Sequence, residues 1–269
     1  MIDAAFAAGR AAFIPYVMAG DPDLETTSSI LEALRDAGTA LVELGIPYGD
    51  PLADGPTIAA AGQRALARGT RIGDVFELVR RARASGSPPI VLFTYLNPVL
   101  QYGIERFAAD AQRSGAAGVI VPDAALEETA ELRAVFARHE LDTPLLIAPS
   151  TSPERAARIA AASTGFVYVV SRLGVTGANQ QRSFSSVRAQ VAMLRGVTDK
   201  PLAVGFGVSS AAHVREIAAI ADGVIVGSAL IDAYVSTGAV GAAAAQEVGA
   251  LARTLVAATG REAAVDIPR

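Results

Sequence analysis

Eight short aliphatic runs, separated by longer segments with helical spacing, recur along almost the whole chain, and this alternation restricts the fold more than any other feature. The runs expected to form strands are Phe13–Val17, Ala40–Leu44, Ile90–Phe93, Gly118–Val121, Leu145–Ala148, Phe166–Val170, Leu202–Val204 and Gly223–Val226. Between them apolar residues fall on one helical face, as do Leu24, Ile30, Leu31 and Leu34, or Ile104, Phe107, Ala108 and Ala111. Asp23 with Thr26, Ser152 before Pro153 and Glu154, and Ser209 with Ser210 read as helix starts, while Gly38, Gly86 and Gly115 read as stops. Strict alternation of strand and helix requires parallel strands, because each crossover returns the chain to the same end of the sheet. Repeats of about 30 residues in a chain of this length fit a (β/α)8 TIM barrel of the α/β class better than an open doubly wound sheet, although periodicity alone does not separate the two. No linker, charge block or low-complexity tract divides residues 1–269, so a single domain is expected, with a short N-terminal segment at 1–11 and a C-terminal tail at 260–269.

Composition removes several function classes. The net charge is -4, and the one basic cluster, Arg80, Arg81 and Arg83, falls late in an expected helix, where cations complement the helix dipole; nucleic acid is not an expected partner. The chain has no cysteine and two histidines, His139 and His213, both within helical segments and without acidic partners at ligand spacing, so no metal is expected. The opening MIDAAFAAGR resembles neither a secretory signal nor a transit peptide, and no apolar run approaches the ~18 residues that span a bilayer. A cytoplasmic protein without membrane contact is expected.

In a barrel of this kind the active site is built at the C-terminal ends of the strands. The stretch LVELGIPYGDPLADGPT, Leu41–Thr57, places Glu43 inside an apolar run and then breaks into a loop carrying Asp50 and Asp54. No Lys or Arg lies between Glu43 and Gln63 to neutralise it. A carboxylate at the end of a buried strand is costly unless it has a partner or a chemical task. Glu43 is expected in an apolar setting with a raised pKa, and Asp54, on the polar loop, is expected to stay ionised, which would divide acid and base roles between them. Asp50 opens a DP turn, where aspartate caps more often than it catalyses. Asp123, after the fourth strand, is expected to support structure first.

Two connections after strands are expected to be long loops, Gly45 to about Thr70 and Ser171 to about Phe184. Three glycine-lined corners follow on adjacent strands: GVTG (Gly174–Gly177), GFGVS (Gly205–Ser209) and VGSAL (Val226–Leu230). Each glycine pair alone could serve only a tight turn. Together after strands six, seven and eight they suggest a phosphate cup of backbone N–H groups, with Ser228 as a hydroxyl donor.

The string ELGIPYGDPLADGPT resembles the signature of the tryptophan synthase alpha subunit family, and the match continues in order through FIPYVMAGDP, TYLNP, IVPD, YVVSRLGVTG, GFGVS and VGSAL, covering about residues 10 to 260. The resemblance implies a lyase that splits indole-3-glycerol phosphate into indole and glyceraldehyde 3-phosphate. It implies that Glu43 is the acid-base group, that Asp54 hydrogen-bonds the indole N–H, and that the Tyr168 hydroxyl lies near the reacting atoms. It further implies phosphate contacts at Gly177, Gly207, Gly227 and Ser228, an indole slot lined by Tyr16, Phe93 and Ile120, and loop closure through Thr176 and Arg172. Pro47, Asp50 and Asn97, with the helix after Asp54, would face a partner, a pyridoxal-phosphate beta subunit in an alpha2-beta2 tetramer that receives indole directly; this chain itself would need no cofactor.

Read from the residues alone, Tyr168, Tyr16, Phe93 and Ile120 would look the same as ordinary barrel aromatics and core, Thr176 as a turn residue and Arg172 as a solvated cation. Tyr48 and Gly49 depart from the family's Phe and Ser, and the Tyr48 hydroxyl must face water or find a partner. The segment before the first strand is short for the family, leaving open what covers the barrel bottom. Two other readings compete: an isomerase of sugar phosphates, and a weakly catalytic chain that serves mainly to activate its partner.

Overall fold

A computed structural model of the chain describes residues 2–6, 9–171, 178–205 and 207–260, with the backbone alone at 178–183. Its strands are β1 (Ala12–Met18), β2 (Val42–Gly45), β3 (Ile90–Phe93), β4 (Gly118–Ile120), β5 (Leu145–Ile147), β6 (Val167–Val170), β7 (Leu202–Gly205) and β8 (Gly223–Val226). The helices are α1 (Leu24–Asp36), α2 (Pro56–Ala67), α3 (Ile72–Ala84), α4 (Leu96–Tyr102), α5 (Ile104–Ser114), α6 (Ala130–Arg138), α7 (Pro153–Ala162), α8 (Ala178–Arg195), α9 (Ala211–Ala218), α10 (Ser228–Val235) and α11 (Gly241–Ala257).

All strand pairs are parallel, in the order β4-β3-β2-β1-β8-β7-β6-β5, which is a (β/α)8 barrel opened at one seam. Nearly every strand residue is buried, because lumen side chains cover one face and helices the other. The seam between β4 and β5 is closed by a single bridge, Gly118 to Asp142, in which the Val119 N–H donates to the Asp142 carbonyl at 2.8 Å and the Asp142 N–H to the Ala117 carbonyl at 3.1 Å. Glycine is required there: a Cβ on Gly118 would stand 2.6 Å from the Asp142 carbonyl oxygen.

Local signals produce the expected helix ends. Asp23 accepts from the Thr26 N–H at 2.7 Å, and Ser152 from the Arg155 N–H at 3.3 Å. Before α9 it is Ser210, not Ser209, that caps, accepting from the His213 N–H. Gly115 ends α5 in the left-handed conformation at φ 86°. The two expected long loops are shorter than the sequence suggested. Residues 56–67 form α2, because Pro56 sets its first turn and Ala61, Gly62 and Ala65 bury one face; that leaves 46–55 and the turn after Ala67 outside the helix. After β6, helical backbone already begins at Ala178.

Among the described residues, the bottom of the barrel is covered by a 3-10 turn, Asp3–Phe6. Ile2 is fully buried, the Phe6 ring packs 5.7 Å from Phe166, and the missing side chain at Gly223 makes room for Phe6. At the opposite end a buried carboxylate ties three elements together. Arg64 on α2 forks onto both oxygens of Asp21 at 2.7 Å, and Tyr234 on α10 donates to the same group. Asp21 follows β1 and is 1% exposed, so this pairing fixes α2 against α10.

If the Gly118 bridge closes the barrel, Gly118→Ala loses about 1–3 kcal/mol through overpacking against backbone. A urea unfolding midpoint lower than wild type is expected; an unchanged midpoint would mean that the seam is not packed.

Candidate active site

Glu43 sits in β2 with Tyr16 of β1 and Val91 of β3 as its register partners. Its side chain is fully buried, and neither carboxylate oxygen has a hydrogen-bond partner among the described residues. Burial alone raises its pKa from 4.5 to about 8, as the sequence led us to expect. At neutral pH the group is therefore largely a neutral carboxylic acid enclosed by the barrel.

Two tyrosines share this space. Tyr16 and Tyr168 are buried, and both hydroxyls resist ionisation, first because of desolvation and then because a phenolate would meet the carboxylates of Asp54 and Glu43 once these are ionised. Each ring is admitted by a glycine on the neighbouring strand. A Cβ at Gly45 would collide with the Tyr16 hydroxyl, and one at Gly205 would lie 2.5 Å from the Tyr168 hydroxyl. Gly205, read from sequence as part of a phosphate corner, thus has a steric task inside the lumen. Phe93 meets Tyr16 edge-on at 5.7 Å, and Ile120 is buried beside it as its β4 register partner. Tyr16, Phe93 and Ile120 accordingly form one apolar wall across β1, β3 and β4.

Asp54 lies at the end of the 46–55 loop, one residue before the N-cap of α2. Its setting is less polar than the sequence suggested. The loop folds over the barrel mouth, half-burying the carboxylate, so desolvation raises its pKa and the Tyr95 hydroxyl partly offsets that rise. Tyr95 is the residue that sequence reasoning passed over. It is 2% exposed, accepts from the Ala53 N–H at 3.1 Å and faces Asp54. Its signal was present in TYLNP, an aromatic hydroxyl just past the C-terminal end of a barrel strand.

Across the mouth, β8 is followed after one residue by α10, whose N-cap Gly227 supplies no side-chain cap. Ser228 is exposed as its first residue, and Gly207, exposed after β7, adopts a left-handed φ of 79°. Gly227 and Ser228 thus stand at the N-terminus of α10, where backbone amides lack intrahelical partners, while Gly207 lies in the connection before α9. Gly177, Thr176 and Arg172 lie outside the described residues.

Of the residues expected to face a partner, Asp50 and Asn97 are exposed, whereas Pro47 is buried within the chain. Leu52 and Leu100 stand out beside them at 76% and 52% exposure. The Tyr48 hydroxyl has a partner: it accepts from the Asn97 side-chain amide at 3.1 Å. Asp123 accepts from the Leu96 N–H at 2.9 Å and so supports the start of α4, as expected. Among the described residues no group of His, Cys, Asp and Glu could hold a metal ion, and no helix is long and apolar enough to cross a membrane.

Because its folded pKa is raised, Glu43 contributes its full stability below about pH 4.5 and loses it as the pH climbs to about 8. At about 1.4 kcal/mol per unit, the loss is several kcal/mol, levelling off above the folded value. Urea unfolding at a series of pH values should show this decline in the wild type and not in Glu43→Gln; parallel profiles would contradict it.

The family model described as tryptophan synthase alpha chain matches residues 2–260. A tryptophan synthase alpha chain of Gloeobacter violaceus is 52% identical over 221 residues, 82% of this chain and 80% of that one. That of Chloroflexus aggregans is 48% identical over 225 residues, 83% of this chain and 84% of its own length. Among solved structures, a tryptophan synthase from M. tuberculosis in an aminoacrylate-bound form superposes with a TM-score of 0.86 at 37% identity, covering 96% of this chain and 99% of that one. The alpha subunit from Legionella pneumophila str. Paris gives 0.87 at 35% identity, covering 96% and 97%. A match that spans the barrel from residue 2 to residue 260, with both carboxylates inside it, shows that the chain belongs to the tryptophan synthase alpha chain family of lyases.

Proposed function

We propose that this chain cleaves indole-3-glycerol phosphate to indole and glyceraldehyde 3-phosphate. The observation that carries the reading is the buried carboxyl of Glu43, with no hydrogen-bond partner among the described residues and a pKa lifted to about 8. Retro-aldol cleavage needs a proton at indole carbon 3, which makes the ring a leaving group, and Glu43 at neutral pH carries one. After giving it up, the same carboxylate takes the proton of the glycerol hydroxyl on the adjacent carbon. That oxygen becomes the aldehyde carbonyl, the carbon–carbon bond breaks, and its electron pair returns to the ring to restore neutral indole. Glu43 ends the cycle protonated.

Asp54 is the stabiliser of the intervening state. Its carboxylate accepts from the indole N–H and opposes the positive charge that protonation places on the ring, most effectively from a half-buried position. Tyr168 contributes a neutral hydroxyl near the reacting carbons. The Tyr16, Phe93 and Ile120 wall receives the apolar ring, and Gly207, Gly227 and Ser228, with Gly177, receive the phosphate. Thr176 and Arg172 close the loop after β6. These steps are acid–base chemistry within one barrel domain and call for no cofactor in this chain.

Indole is apolar, and direct handover to a pyridoxal-phosphate beta subunit keeps it from solution. Exposed Leu52 and Leu100, beside Asp50 and Asn97, fit such a partner face; the buried Pro47 shapes the loop beneath it. An alpha2-beta2 tetramer in the cytoplasm is the corresponding assembly.

Release of indole by the purified chain, with and without its beta subunit, tests the reading. Glu43→Gln should lower kcat roughly 100-fold to 10,000-fold, as expected for loss of an acid-base group. Wild-type turnover in that variant would remove Glu43 from its role. In the wild type kcat should fall as the pH rises through about 8, where Glu43 loses the proton it must donate; activity still rising there would contradict the acid assignment.

A further inference from the structure

Beyond Ile46, hydrogen bonds tie the loop 46–55 to the segment after β3. The Ala53 N–H donates to the Tyr95 hydroxyl at 3.1 Å, and the Asn97 amide donates to the Tyr48 hydroxyl at 3.1 Å. Ring contacts join the two links. Tyr48 lies against Tyr95 at 5.4 Å, and Tyr95 meets Phe93 edge-on at 6.3 Å. A phenol has one proton to donate, and with its acceptor side taken by Ala53 the Tyr95 hydroxyl has that proton for Asp54. The direction of the Tyr95 ring therefore decides where the carboxylate is held.

We infer that Tyr48 is a positioning residue for Asp54: anchored through its hydroxyl to Asn97, its ring fixes Tyr95, and Tyr95 fixes Asp54 and the adjoining Ala53 amide. The inference rests on Asp54 acting as proposed above. It concerns a residue outside the reacting centre, since Tyr48 is half-buried on the outer side of Tyr95. Among the described residues, the titratable groups facing this cluster are Glu43, Tyr16, Tyr168 and, beyond Tyr95, Asp123. None carries positive charge, so the hydroxyl of Tyr95 is the described group that favours ionised Asp54.

The test compares the full-length wild type with Tyr48→Phe, Tyr95→Phe and the double variant, by indole release and by carbon-13 titration of the Asp54 carboxyl. Tyr48→Phe keeps the ring and removes one hydrogen bond, so kcat should fall roughly fivefold with KM little changed. The Asp54 midpoint should rise, because the offset supplied by Tyr95 is weakened. In the Tyr95→Phe background, Tyr48→Phe should cost nothing further, as two changes along one path are not additive. Wild-type kcat and midpoint in Tyr48→Phe, or losses that multiply in the double variant, would overturn the inference. A wild-type chain that releases no indole would refute the proposed reaction instead, and the Asp54 midpoints would still decide whether Tyr48 positions it.

Discussion

A carboxyl group enclosed by a barrel, with no hydrogen-bond partner among the described residues, is the constraint on which the rest of this structure turns. Ionised, Glu43 would carry a desolvation penalty of several kcal/mol, with no opposite charge among the described residues to offset it. The fold resolves this by keeping the group neutral, with a pKa raised to about 8. That outcome depends on every neighbour being apolar or itself neutral. Tyr16 and Tyr168 meet the requirement because their own hydroxyls are buried and resist ionisation. Gly45 and Gly205 meet it sterically, leaving space for those two rings on adjoining strands. Among the described residues, packing alone thus produces the acid that the chemistry requires.

Around this centre the two sides of the mouth are held in a fixed relation. Asp21, Arg64 and Tyr234 join α2 to α10, and Thr57 reaches Asp232 across the same pair at 3.3 Å. One of those helices begins beside Asp54 and the other beside Gly227 and Ser228. A ligand gripped at both ends would therefore meet elements whose spacing is set before it arrives, which is the kind of preorganisation that makes charge stabilisation effective.

Much of this was legible in the residues. The eight runs became eight strands, one residue shorter at β4, β5 and β6 and starting two residues later at β2, because parallel strands buried on both faces must be aliphatic throughout. Glu43 was legible for the converse reason, being a charge where the pattern allows none. The region 45–70 was misread as one loop, since its helix carries small residues and little contrast between faces, and Pro56 at its start resembles a turn as much as a first helical residue. Asp54 looked polar because burial of a loop depends on what it folds against. The pairing of Tyr48 with Asn97 was invisible for the same reason, as it joins segments nearly fifty residues apart; Tyr95 had a signal in TYLNP, but its partners on the other loop did not show. The Gly118 bridge could not be anticipated either: periodicity specifies strands, and closure is a property of how they meet.

The central claim, that burial keeps Glu43 protonated at neutral pH, is tested most directly by titrating that one carboxyl in the intact chain, by carbon-13 NMR with Glu43→Gln to assign the signal. The structure predicts a midpoint near 8. A midpoint near the ordinary 4.5 would mean that the group is ionised in the barrel, and the account of its acid chemistry would fail.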